Sequence, residues 1–76
     1  MIDLKEIAAR LDAEEKMRLK YRFPVSLPDG DVRYEIREDR LLDVAEDARI
    51  LYVSRGGEVI WVKLEEAIEI VPDTGD

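Results

Sequence analysis

From Ile50 to Lys63 the chain spells out a β-hairpin, turn included. Two β-prone runs, Ile50-Leu51-Tyr52-Val53-Ser54 and Val59-Ile60-Trp61-Val62-Lys63, flank Arg55-Gly56-Gly57-Glu58. Gly-Gly supplies both positive φ angles that a two-residue type I′ turn demands. A turn of that length fixes the register. With Arg55 opposite Glu58, Val53 faces Ile60 and Leu51 faces Val62 on one side, while Tyr52 faces Trp61 and Ser54 faces Val59 on the other. Both sides carry apolar residues. One fills a core, and the other needs a second cover, either this chain's own helix or another molecule.

At 76 residues the chain makes one domain, near the size at which a single core barely offsets conformational entropy, so association is a ready source of stability. It has neither cysteine nor histidine, which removes disulfides, the usual zinc sites and thiol or imidazole catalysis. Carboxylates, hydroxyls and lysines remain, but no two carboxylates are marked as sharing a desolvated cleft, and Lys63 among Trp61, Val62 and Leu64 reads as a snorkelling side chain. No catalytic constellation, metal site or cofactor is expected. The absence of an apolar run of membrane-spanning length or of a leader segment predicts a cytoplasmic protein with no membrane contact.

The net charge of −7 is unevenly distributed. Residues 1–37 balance, with eight acidic and eight basic side chains, whereas residues 38–76 carry eleven acidic against four basic. That balance disfavours binding to a phosphate backbone, which uses Lys and Arg to displace counterions, so DNA is not expected and RNA is disfavoured. The acidic cluster Asp39, Asp43, Glu46 and Asp47 reads as a solvated face, because it lacks the spacing of a calcium loop.

Ahead of the hairpin, Asp3 can cap a helix, Glu6 can close a capping box, and Ile2 with Ile7 can form a hydrophobic staple. Leu4, Ile7, Ala8 and Leu11 continue one apolar stripe, and the helix is predicted to run to about Arg18, with a break near Leu11 as the alternative. Period two then takes over. Leu19, Tyr21, Phe23, Val25 and Leu27 alternate with polar residues, and Pro24 marks an edge or an unpaired flank. Pro28-Asp29-Gly30-Asp31 turns the chain so that Val32, Tyr34 and Ile36 stand opposite Leu27, Val25 and Phe23, leaving Arg33, Glu35 and Arg37 on the wet side. Glu38-Asp39-Arg40 breaks this pattern before residues 41–45, read as a short strand with a helical turn as the alternative. After the Gly-Gly hairpin come a 3₁₀ turn at Leu64–Ala67 and a last strand, Ile68–Val71, ended by Pro72.

Two short resemblances accompany this reading. Lys5-Glu6-Ile7-Ala8-Ala9-Arg10-Leu11 resembles the first helix of a helix-turn-helix protein, but no glycine-containing turn or basic recognition face follows. Pro24-Val25-Ser26-Leu27-Pro28-Asp29-Gly30 and Val53-Ser54-Arg55-Gly56-Gly57-Glu58-Val59-Ile60, in this element order, resemble the two halves of an Sm-like RNA-binding protein. That family forms rings that bind uridine-rich RNA. The resemblance implies a nucleotide-binding loop at Asp39-Arg40-Leu41-Leu42-Asp43, with Arg55 from the second loop. The pattern departs where Leu41 replaces the stacking aromatic or histidine, Asp43 replaces asparagine, and the glycine that bends the second strand is missing.

The expected architecture is therefore α+β, mainly β. An N-terminal helix precedes five or six short antiparallel strands that form a small SH3-like or Sm-like barrel over residues 1–72, followed by a disordered tail at 73–76. An open sheet with the helix laid across it is the alternative. Tyr52 and Trp61, with Val59 and Ile50, form the candidate interface for a second copy or a protein partner. The competing readings of the aromatic pair are ordinary core beneath Leu4, Ile7 and Leu11, or a stacking platform for a flat ligand.

Overall fold

The computed structural model describes residues 2–73, and the rest of the expected tail lies outside the described residues. The helix, α1, spans Leu4–Asp12. Its first turn is capped by Asp3, whose carboxylate accepts the Lys5 N–H at 3.0 Å. It ends six residues before the predicted Arg18, and the end has a definite form. Glu14 takes a left-handed φ of 62°, the Glu15 N–H donates to the Arg10 carbonyl at 3.0 Å, and the Glu14 N–H donates to that of Leu11 at 2.9 Å. These are the two closing bonds of a Schellman motif, here with glutamate where glycine is usual. Met17, which is fully buried, already belongs to the next strand. Across this boundary Arg10 pairs with Glu15, and Arg18 of the new strand with Glu38.

Five strands follow: β1 (Met17–Ser26), β2 (Val32–Ala45), β3 (Ile50–Arg55), β4 (Glu58–Lys63) and, after a 3₁₀ turn at Leu64–Glu66, β5 (Ala67–Pro72). All neighbours are antiparallel, in the order β4-β3-β2-β1-β5, and they form one sheet that is not closed. Asp73 continues from β5 and donates its N–H to the Lys16 carbonyl, so this first residue of the predicted tail is tied down.

The Gly-Gly hairpin forms in the predicted register, from Arg55 opposite Glu58 to Leu51 opposite Val62. Gly56 and Gly57 have φ of 59° and 84°. The first hairpin does not match its prediction. Its loop takes five residues, Leu27–Asp31, and is closed by the Leu27 N–H donating to the Asp31 carbonyl at 2.7 Å. Ser26 therefore pairs with Val32, Pro24 with Tyr34 and Phe23 with Glu35. A one-residue slip exchanges the faces of a strand. Val32, Tyr34 and Ile36 consequently point away from the core and are 49–60% exposed, while Arg33, Glu35 and Arg37 share the face of Phe23 and Tyr21. Arg37 meets this placement by lying 4.0 Å over the Phe23 ring and pairing with Glu35 at 3.0 Å.

The predicted break at Glu38-Asp39-Arg40 is also absent. β2 is one strand of 14 residues that passes through this segment and carries its irregularity at Leu42, where the pairing with β3 shifts register. Pro24 sits where β1 has a partner on one side only, because β5 pairs with β1 no further than Tyr21. Leu4 and Ile7 of α1 join Met17, Leu19, Tyr21, Leu41, Leu51, Val53 and Val62 in the core. The helix thus covers the aliphatic face of the Gly-Gly hairpin and leaves the Tyr52/Trp61 face free. No second helix follows α1, which removes the helix-turn-helix resemblance.

Because a Cβ at either turn glycine meets no atom, substitution there costs backbone strain alone. Gly57→Ala is expected to destabilise the fold by about 1–2 kcal/mol, and Gly56→Asn by much less, since asparagine tolerates the left-handed region. Urea denaturation of the two variants measures the difference.

Candidate functional site

Strand pairing assigns the two faces of the sheet residue by residue. Val59 lies opposite Ser54, and Ser54 opposite Arg40. Trp61 lies opposite Tyr52, and Tyr52 opposite Asp43. These side chains share the face away from α1. Trp61 is 57% and Val59 64% exposed, whereas Tyr52 and Ile50 are half-buried. The four residues singled out as an interface therefore form one patch on β3 and β4. Trp61, Ile50 and Lys63 also line a cavity of about 590 Å³ with Arg49 and Ile68. A second cavity, of about 500 Å³, has Val59–Lys63 of β4 on one wall and Arg22, Phe23 and Pro24 of β1 on the other.

The four residues of the alternative nucleotide-binding reading are distributed differently. Leu41 is 4% exposed and belongs to the core, so no base can stack on it. Asp43 is exposed, and its carboxylate accepts the N–H of Val44. Asp39 and Arg55 are brought together on the core side of the sheet. Asp39 is buried rather than part of a solvated face, and both its oxygens accept from Arg55 Nη1, at 3.2 and 3.0 Å. The Tyr21 hydroxyl donates to the same carboxylate at 2.5 Å. One carboxylate thus joins β1, β2 and the strand entering the Gly-Gly turn. Sequence reasoning missed this link because Tyr21 and Asp39 are 18 residues apart and reach each other only in the observed register.

Burial raises the Tyr21 hydroxyl above its ordinary value, and the hydrogen bond to Asp39 and that carboxylate's charge add to the rise. Arg55 is held further in its cationic form by its hydrogen bond to Asp39 and then by the Asp39 charge. Both oxygens of Asp39 accept from Arg55, and one of them accepts from Tyr21 as well, so the carboxylate is engaged within the protein. Among the described residues no three carboxylates converge on a point that would hold a metal ion, and no helix is long and apolar enough to cross a membrane.

No family model matches this chain, and neither a curated protein nor a solved structure matches it. The geometry of the faces therefore carries the functional argument. It also adds residues that the sequence reading had placed in the core: Val32, Tyr34 and Ile36, on the same face as Val59 and Ser54. A five-residue count for the first loop would have revealed them.

The Tyr21–Asp39 link has two measurable consequences. Asp39→Ala leaves a buried hydroxyl unsatisfied and is expected to cost about 1–3 kcal/mol in urea denaturation. Since the folded-state value of Tyr21 lies above its unfolded value of 10.0, its contribution is fully present below that pH and is lost as pH rises through the folded value. Alkaline titration of stability should therefore fall less steeply in Tyr21→Phe than in the parent.

Proposed function

We propose that this chain is a non-catalytic interaction module that self-associates through the face bearing Tyr52 and Trp61, with Val59 and Ile50 at its margin. The observation that carries the reading is the position of α1. The helix covers the opposite face, so the aromatic pair stays uncovered with Trp61 more than half exposed. Tryptophan and tyrosine are enriched where association energy concentrates, and a domain this small gains most from a second copy. RNA binding at Asp39–Asp43 has less support, since Leu41 is in the core and Asp39 is spent on Tyr21 and Arg55.

The same proposal reads the fold as an incompletely closed small barrel of the SH3-like or Sm-like kind. The element order supports it, with a helix first and a 3₁₀ turn between the last two strands. So does the approach of β4 to β1 across the 500 Å³ cavity, beside which Arg22 forms an ion pair with Glu66 of the 3₁₀ turn.

Light scattering after size-exclusion chromatography tests self-association. The parent is expected at a multiple of the chain mass at tens of micromolar. Trp61→Ala should weaken association by about thirty-fold or more, as loss of a 2 kcal/mol hot spot implies. Its unfolding free energy should change by no more than about 0.5 kcal/mol, because the ring is exposed in the single chain. A monomeric parent, or a parent that binds only some other protein, overturns the reading.

A further inference from the structure

Beyond Tyr21 on β1 and Arg40 on β2 the sheet narrows to two strands. β5 pairs with β1 only as far as Tyr21, and β3 pairs with β2 only from Arg40. Residues 22–26 and 32–36 therefore pair with each other alone and form an arm tipped by the loop Leu27–Asp31. An isolated two-stranded ribbon is marginally stable in water. One side of this arm is protected by Arg37 over Phe23. The other side presents Val32, Tyr34 and Ile36 to solvent.

Resting on the reading that Trp61 marks a self-association face, we propose that its occupant is the arm of a second copy, with the two copies exchanging arms about a two-fold axis. Length, charge and area support this pairing. The step from Val32 to Ile36 covers four residues of strand, and so does that from Val59 to Lys63, each about 13 Å. The arm tip carries Asp29 and Asp31, which form no ion pair among the described residues. Arg40 and Lys63, at the rim of the Trp61 patch, form none either. Of the acidic residues near that rim, Asp43 turns its carboxylate to the Val44 N–H and Glu66 pairs with Arg22, while Glu65 lines the cavity beside Trp61.

Area decides between one contact and two. Val32, Tyr34 and Ile36 leave on the order of 300 Å² uncovered, and Trp61 with Val59 leaves roughly 250 Å². A stable interface takes about 800 Å² from each partner. Either patch alone falls far short. Reciprocal exchange places both patches of each copy in the interface, and at the usual apolar fraction this corresponds to roughly 900 Å² per partner. The base of the arm, Arg22–Pro24, and the β4 strand already face each other across one cavity, so a single axis along that groove serves both contacts.

Complementation between variants tests the exchange. Ile36→Glu on the arm and Trp61→Ala on the patch should each reduce the dimer to monomer at the same concentration. An equimolar mixture should associate more tightly than either variant alone and more weakly than the parent, because both defects then fall in one contact and the other joins an intact arm to an intact patch. If Ile36→Glu fails to fold, Asp31→Lys serves as the arm variant, since the Asp31 side chain makes no hydrogen bond within the loop. It should weaken association at least several-fold and be rescued by Lys63→Glu. A dimer that survives the arm variants while Trp61→Ala dissociates it, or a mixture that associates no more tightly than the separate variants, overturns arm exchange and leaves the Trp61 interface standing. A parent that is monomeric overturns both.

Discussion

Strand side chains alternate between faces, so each hairpin turn decides the surroundings of every residue in the two strands it joins. Two of the three hairpin turns among the described residues have opposite parity. The two-residue Gly56-Gly57 turn sends Leu51, Val53 and Val62 toward the helix and Tyr52 and Trp61 away from it. The five-residue Leu27–Asp31 loop sends Phe23 and Tyr21 toward the core side, together with Arg37 and Asp39, and Val32, Tyr34 and Ile36 to the outside. Core composition, the buried carboxylate and the exposed apolar face all follow from those two loop lengths.

The arrangement puts a carboxylate where an aliphatic residue would ordinarily sit, and the surrounding chain compensates. A buried Asp39 without partners would be costly. It instead accepts from Tyr21 on one side and Arg55 on the other, and Arg55 stands immediately before the Gly-Gly turn. The carboxylate therefore ties the register of β1 against β2 to that of β3, since Leu19 lies opposite Asp39 and Leu41 opposite Val53 in the same stretch. A slip in either pairing would separate the carboxylate from one of its donors. The polar cluster specifies alignment even against a two-residue slip, which keeps every side chain on its own face and which the alternation of faces alone does not oppose.

The second hairpin was legible in the sequence because its turn chemistry is local: two adjacent glycines leave little choice of geometry. The 3₁₀ turn and β5 were legible for a similar reason, with Pro72 closing the last strand. The first hairpin was not, because Pro28-Asp29-Gly30-Asp31 is compatible with loops of both parities, and the alternation of Val32, Tyr34 and Ile36 looks the same whether it faces a core or solvent. The continuity of β2 was hidden as well. Glu38-Asp39-Arg40 reads as a charged loop until Tyr21, Arg55 and Arg18 supply partners from distant parts of the chain. The helix end was misjudged because i,i+4 charge pairs can be drawn past Asp12, whereas the Schellman closure and burial of Met17 draw the chain into β1. At the candidate site the pairing of Tyr52 with Trp61 was legible; which face α1 covers and the exposure of Val32, Tyr34 and Ile36 were not, since both depend on contacts between distant parts of the chain.

A chain of this size has limited means to stabilise a two-stranded extension that protrudes from its only sheet. Part of the arm is anchored by its own charges: Arg37 lies over Phe23, Arg22 over Tyr34 at 4.8 Å, and Arg22 is also held by Glu66. Those contacts orient the ribbon from its base and cover its outer row only at Tyr34, leaving Val32 and Ile36 more than half exposed. The same chain leaves an aromatic patch of comparable size without a lid on β3 and β4. In the proposed dimer each copy would supply what the other lacks, the arm of one seated on the Trp61 patch of the other. The cost of ordering the arm would then be met by association, coupling folding of the extension to assembly.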